Sequence, residues 1–299
     1  MAQPTLTLPK SRPRVAASGS AGSLIRSLRI IHPFPTLMNV AATAGLAFVA
    51  ARGAPNALLL VRMLLLMLFA QSAIGITNDY FDRDLDAQTK PWKPIPAGLV
   101  APSVAAMIAV VLIAAALVLG GTLGRISFGL AALGLACGLA YDVRLKRTRA
   151  SALPYMIAIP TLPLWVWLTL GERDRVLWWL LPLGALLGLA LHLVNTLPDI
   201  EADASHGVEG LAHRLGARRS MFVGWASFAS ALAITVAMAP FVAYDVRLYA
   251  PTFAASAGCL VSSVGLYAVR RDAFSLQFGF GALGFGSAVL AVGWLAAVT

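Results

Sequence analysis

Apolar residues occupy nine long blocks separated by short polar stretches, at 34–52, 57–77, 100–120, 126–141, 152–171, 176–198, 220–240, 248–269 and 274–298. Several approach the roughly 20 residues with which a helix crosses a hydrocarbon layer of about 30 Å. The block at 126–141 is short for a straight span, and the connection between the first two is tight. The pattern predicts an all-α, polytopic membrane bundle of about nine transmembrane helices. Residues 1–23 are polar and basic and lack the compact apolar core and small-residue cleavage site of a secretory signal. They are read as a flexible cytoplasmic tail, and 24–299 as the transmembrane domain.

Composition agrees with a lipid environment. The chain is 59% hydrophobic and 12% charged, where a soluble domain is about a quarter charged. The net charge of +10 does not require nucleic acid, because basic residues collect on the cytoplasmic side of membrane proteins. With the N-terminus inside, 17 of the 23 Lys and Arg fall on the cytoplasmic side. That orientation places the segments near 78–98, 142–151 and 199–219 on one face. The two cysteines, Cys137 and Cys259, lie in apolar blocks far apart and make neither a zinc nor a redox motif.

Against this background the acids are concentrated. Seven of thirteen lie in two nine-residue windows, NDYFDRDLD at 78–86 and NTLPDIEAD at 195–203. Asn78, Asp82 and Asp86 stand four apart, as do Asn195, Asp199 and Asp203. On a helix this spacing lines one face, a stripe about 12 Å long. Like charges so close repel unless a cation joins them. Oxygen donors of this kind suit Mg²⁺ or Ca²⁺, and Mg²⁺ completes its shell with water and substrate phosphate. Two such stripes facing each other can clamp a diphosphate. Ionisable residues at membrane depth are functional candidates by default. Lys90, Lys93, Lys146 and Arg147 are the cations best placed for phosphate, with Arg214 behind them. Asp84 and Glu201 fall off the stripes and are expected to tune the field of the site or to face water. His192 is read as a satisfied interior histidine. Pro198 is expected to interrupt the helical ladder beside Asp199.

These residues resemble the UbiA superfamily of intramembrane prenyltransferases over roughly 24–298. Asn78, Asp79, Asp82 and Asp86 match its NDxxDxxxD signature, Asp199 and Asp203 its DxxxD, and Tyr141, Lys146 and Arg147 in YDVRLKR its tyrosine- and lysine-bearing loop. The resemblance implies a helical bundle around a central cavity that opens sideways to lipid. It implies transfer of a prenyl group from a prenyl diphosphate to an acceptor, most often an aromatic ring of quinone biosynthesis, with Mg²⁺ held by the two aspartate motifs. Arg29 matches a family position at the start of the first helix, suited to an acidic acceptor.

There are departures. Lys93-Pro94 stands where the family often has Arg-Pro, and Gly210-Leu211 where it often has Thr-Leu. Lysine keeps the charge but loses the planar fork for phosphate. The stretch KPWKPIPAG is as close to branches with lipid acceptors as to those using 4-hydroxybenzoate. A glycerol phosphate lipid, a tetrapyrrole or phosphoribosyl transfer to a lipid phosphate is therefore the alternative chemistry. An ion-coupled transporter is the alternative of another class, although transporters place coupling acids near the bilayer midplane. Phe34, Phe81, Trp92, Trp165 and Trp167 are available to line a polyene cavity, and Trp178 and Trp179 are expected at the membrane interface.

Overall fold

The computed structural model describes residues 20–200 and 209–298. Twelve α-helices are described: α1 Ser20–Ser27, α2 Pro33–Ala50, α3 Ala57–Phe81, α4 Arg83–Thr89, α5 Pro102–Thr122, α6 Arg125–Val143, α7 Leu153–Thr169, α8 Leu180–Thr196, α9 Leu211–Leu215, α10 Ala217–Ala237, α11 Val246–Arg270 and α12 Ala273–Val298. No strand occurs among the described residues. Residues 1–19 of the expected tail lie outside them, and α1 runs across the expected boundary at 23.

All nine apolar blocks are helical. Eight helical segments are long and apolar enough to cross a membrane, the sixth block counting from Arg175 as one span with the 3₁₀ turn that leads into α8. The ninth, α7, has 17 residues. Shortness thus belongs to the fifth block and not to the fourth, where α6 extends to 19 residues. The reason is charged residues at both ends: Arg125 opens α6, and Asp142 belongs to its last turn.

Helix starts follow local chemistry. Pro33 and Pro102 open α2 and α5, where a missing N–H costs no hydrogen bond. The Asn56 side chain caps α3 by accepting the Leu59 N–H at 3.0 Å. In the bundle α3 packs on α2, α5 and α6, α7 lies between α6 and α8, and α11 pairs with α12. The main core gathers α2, α3, α7, α8, α10 and α12 around Trp165, Trp167, Phe228 and Trp294. Trp165 and Trp167 are therefore core residues, and the Trp165 indole donates to Ser127 Oγ at 2.8 Å. Trp178 and Trp179 are exposed, as an interfacial pair would be, and so are Phe34, Phe81 and Trp92.

One close approach positions the site. Pro160 and Pro163 lie inside α7, and α8 meets that helix with Gly184 and Gly188. A Cβ at Gly184 would sit 2.6 Å from Pro160 Cβ; one at Gly188 would strike the Tyr155 carbonyl and lie 2.9 Å from Met156 Cα. Backbone packed so tightly sets the register between Tyr155 on α7 and both His192 and Asn195 on α8.

Candidate active site

The first acidic motif is helical to its end. Helix α3 passes the expected limit at 77 and stops at Phe81. Backbone N–H groups of Asp82, Asp86 and Lys90 bond to carbonyls four residues earlier, at 2.9, 2.7 and 2.8 Å. The four-residue step thus survives the break between α3 and α4, and the acids keep a common side. Asp84 is exposed, as its place off the stripe predicts.

Each carboxylate has acquired a cation. Lys93 Nζ lies 2.8 Å from Asp79 Oδ1 and 2.7 Å from Asp86 Oδ2. Lys146 Nζ reaches both oxygens of Asp82 at 2.6 Å. Arg147 approaches Asp82 Oδ1 at 3.7 Å with its side chain half exposed. His32 Nε2 is 2.9 Å from Asp79 Oδ1, its ring packed against Gly75. Asn78 Nδ2 donates to Asp142 Oδ1 at 3.1 Å. Three loops from distant parts of the chain thereby meet at one end of the bundle: Gly210 lies against the Lys146 carbonyl, and Leu211 N–H donates to Ser151 Oγ.

Burial lifts the Asp86 carboxyl above its usual 3.8; Lys93 opposes this, and Asp82 and Asp79 add to the rise. Burial also works against the Lys93 ammonium, but Asp79 and Asp86 outweigh it and hold the lysine above its usual 10.5. The two partners shift the same way because one ammonium serves two carboxylates. Lysine thus gains two neighbours while Asp86 keeps its burial and its like charges. A proton held more tightly in the folded state stabilises below the unfolded value and is lost as pH rises through the folded one. Wild-type protein should therefore lose stability above pH 10.5 by an increment that Lys93→Met lacks. Thermal unfolding of both proteins in detergent across that range checks it; identical alkaline profiles would exclude the bridge.

The second motif is only partly described. Helix α8 ends at Thr196, and Leu197–Asp199 form a 3₁₀ turn. Pro198 has no N–H to continue the ladder, so the helix from Asn195 is interrupted beside Asp199, as expected from that residue. Asn195 Nδ2 donates to Tyr155 Oη at 3.3 Å. Asp199 is placed by its backbone alone, and Asp203, with Glu201, lies outside the described residues.

Tyr141 stands edge-on to Tyr155 and His192, with centroids 5.3 and 5.9 Å away. Asp82, Tyr141, Lys146, Ser151, His192 and His213 are among the residues lining a cavity of about 60 Å³. Lys90 caps the end of α4. Arg29 is exposed in the 3₁₀ turn before His32 and joins no ion pair among the described residues. Arg214 pairs outside the cluster with Glu209 at 2.8 Å.

Sequence reasoning missed His32, Asp142, Ser151 and Tyr155. Asp142 had a legible signal, a lone acid at the end of an apolar block. The others are partners by tertiary contact. The donor set suits a hard divalent cation: oxygen ligands only, with Oδ2 of both Asp79 and Asp142 buried and unpartnered. Among the described residues no three acids, histidines or cysteines form a ready coordination group, because the lysines lie between the carboxylates.

Residues 38–278 match the model of the UbiA prenyltransferase family. The chain belongs to that family. It is thus an integral membrane prenyltransferase. Among curated relatives, the digeranylgeranylglyceryl phosphate synthase of Natronomonas pharaonis is 31% identical over 190 residues, 62% of this chain and 68% of the relative. The 4-hydroxybenzoate octaprenyltransferase of Vibrio atlanticus is 26% identical over 202 residues, 66% and 70% of the two chains. The solved structure of a UbiA homologue from Archaeoglobus fulgidus, bound to GPP and Mg²⁺, superposes with a TM-score of 0.73 at 16% identity, covering 91% of this chain and 99% of that one. At that identity the likeness is one of fold.

Proposed function

We propose that the protein transfers a prenyl group from a prenyl diphosphate to a hydroxyl of a glycerol phosphate lipid, at the cytoplasmic face and with Mg²⁺. The observation that carries the donor side is the convergence of Asp79, Asp82 and Asp86 with Lys93 and Lys146 at one end of the bundle. Asn78, Asp79, Asp82 and Asp86, together with Asn195, Asp199 and Asp203, would hold Mg²⁺, which supplies neutralisation of charge on the departing diphosphate. Lys93 and Lys146 are ammonium donors that exchange a carboxylate for a phosphate oxygen as the donor enters. Arg147 and Lys90 bind the outer phosphate. Cations fixed before reaction stabilise the leaving group without reorganisation. The Tyr141 ring, braced by Tyr155 and His192, offers an aromatic face to the allylic cation. Arg29, exposed at the same end, is available to an anionic headgroup.

The aromatic acceptor expected from the resemblance gives way to the lipid one. Support comes from the greater similarity to glyceryl phosphate synthases than to 4-hydroxybenzoate enzymes. The test is pyrophosphate release by the purified chain with Mg²⁺ and geranylgeranyl diphosphate, with geranylgeranylglyceryl phosphate or 4-hydroxybenzoate as acceptor. Release with the lipid acceptor is expected. Release with the benzoate alone would restore the aromatic reading, and none with any acceptor in folded protein would reject both.

A further inference from the structure

The cavity beside Asp82 and Lys146 is also lined by polar groups that the diphosphate chemistry does not use: Ser151, His192, Thr196 and His213. His192 is 2% exposed. Its Nε2 is 2.9 Å from Ser151 Oγ, and the same oxygen accepts the Leu211 N–H at 2.9 Å. The hydroxyl oxygen has two lone pairs: one takes the Leu211 N–H, and the other can take the Nε2–H of one His192 tautomer. That tautomer leaves the lone pair on Nδ1, which is buried and has no partner among the described residues. Tyr141 and Tyr155 fix the ring from two other directions, with centroids 5.9 and 5.2 Å away. Size adds a restriction. A cavity of about 150 Å³ admits benzene, whereas this one is about 60 Å³, room for a carbon bearing a hydroxyl.

We propose that this cavity is the acceptor-hydroxyl subsite and that His192 Nδ1 takes the hydroxyl proton, with Ser151 as the positioning residue. The inference rests on the lipid-acceptor reading. The acceptor O–H bond breaks as its oxygen bonds to C1 of the prenyl group. The C1–O bond to diphosphate breaks with its electron pair leaving on pyrophosphate, and the acceptor proton ends on Nδ1. The base is needed because an alcohol, unlike a phenol, gives up its proton reluctantly.

The experiment uses the full chain in detergent with Mg²⁺, geranylgeranyl diphosphate and geranylgeranylglyceryl phosphate. Donor affinity is read by calorimetry with a thiodiphosphate analogue, and kcat by product formation. His192→Gln should lower kcat about 100-fold, within the range for a lost general base, with donor affinity unchanged. Ser151→Ala should lower kcat about tenfold and Ser151→Thr should restore it, while added imidazole should partly rescue His192→Ala. Undiminished kcat in His192→Gln, or a loss that follows donor affinity, overturns the base assignment alone. A wild-type chain that uses only phenolic acceptors overturns the lipid-acceptor reading, and the alcohol subsite with it.

Discussion

Asp82→Asn should reduce pyrophosphate release by about a thousandfold or more. Loss of a metal-binding charge removes several kcal/mol of transition-state stabilisation, and each ~1.4 kcal/mol is a decade in rate. Asp82 is the member of the first motif through which the loop of 142–151 reaches the site, since Lys146 holds both its oxygens. The amide would keep the volume and lose the charge that draws both Lys146 and a metal. Asp84→Asn is the matched control, an exposed acid two residues away expected to retain wild-type release. Steady-state release, with thermal unfolding to verify that each variant is folded, checks the pair. Equal rates in wild type and Asp82→Asn would remove the first motif from the chemistry.

Gly188→Val should produce the largest loss of stability. The new side chain would meet the carbonyl of Tyr155 and the Cα of Met156. These are backbone atoms of a helix, so no rotamer change relieves the overlap. The cost should reach about 3 kcal/mol, the upper part of the usual overpacking range, and appear as a lower midpoint of thermal unfolding in detergent. Gly284→Ala, where an added Cβ meets only the tip of Leu191 at 4.0 Å, should leave that midpoint nearly unchanged. A Gly188→Val protein as stable as wild type would show that α7 and α8 are not in contact at this point.

Much of the fold was legible because lipid imposes a simple rule: a crossing helix must be long and apolar. All nine blocks are helical, and eight are long and apolar enough to cross. The ends were harder, because polar residues that look like loop are the last turns of helices where the site is built. Asn78 to Phe81 belong to α3, and Asp142 to α6. The first aspartate motif was legible because four-residue spacing is a local property. The pairing of Asp79 with His32, or of Asn78 with Asp142, was not, since these contacts join residues 47 and 64 positions apart. His192 read as a satisfied interior histidine; its Nε2 is satisfied by Ser151, and its Nδ1 is left open. Pro198 marked the break in the second motif correctly, and the 3₁₀ turn there follows from its missing N–H.

The end of α3 also bears on how the chain is made. Its side chains are matched by His32, synthesised earlier, and by Lys93, Asp142 and Lys146, which emerge later. Until the loop after α6 has left the ribosome, Asp82 lacks its ammonium and Asn78 its carboxylate partner. A charge without a partner is costly in a low-dielectric surrounding, so a nascent chain ending before residue 142 keeps the foot of α3 at the water interface. The cluster at the foot of α3 is therefore complete only once α6 and the loop after it have been made.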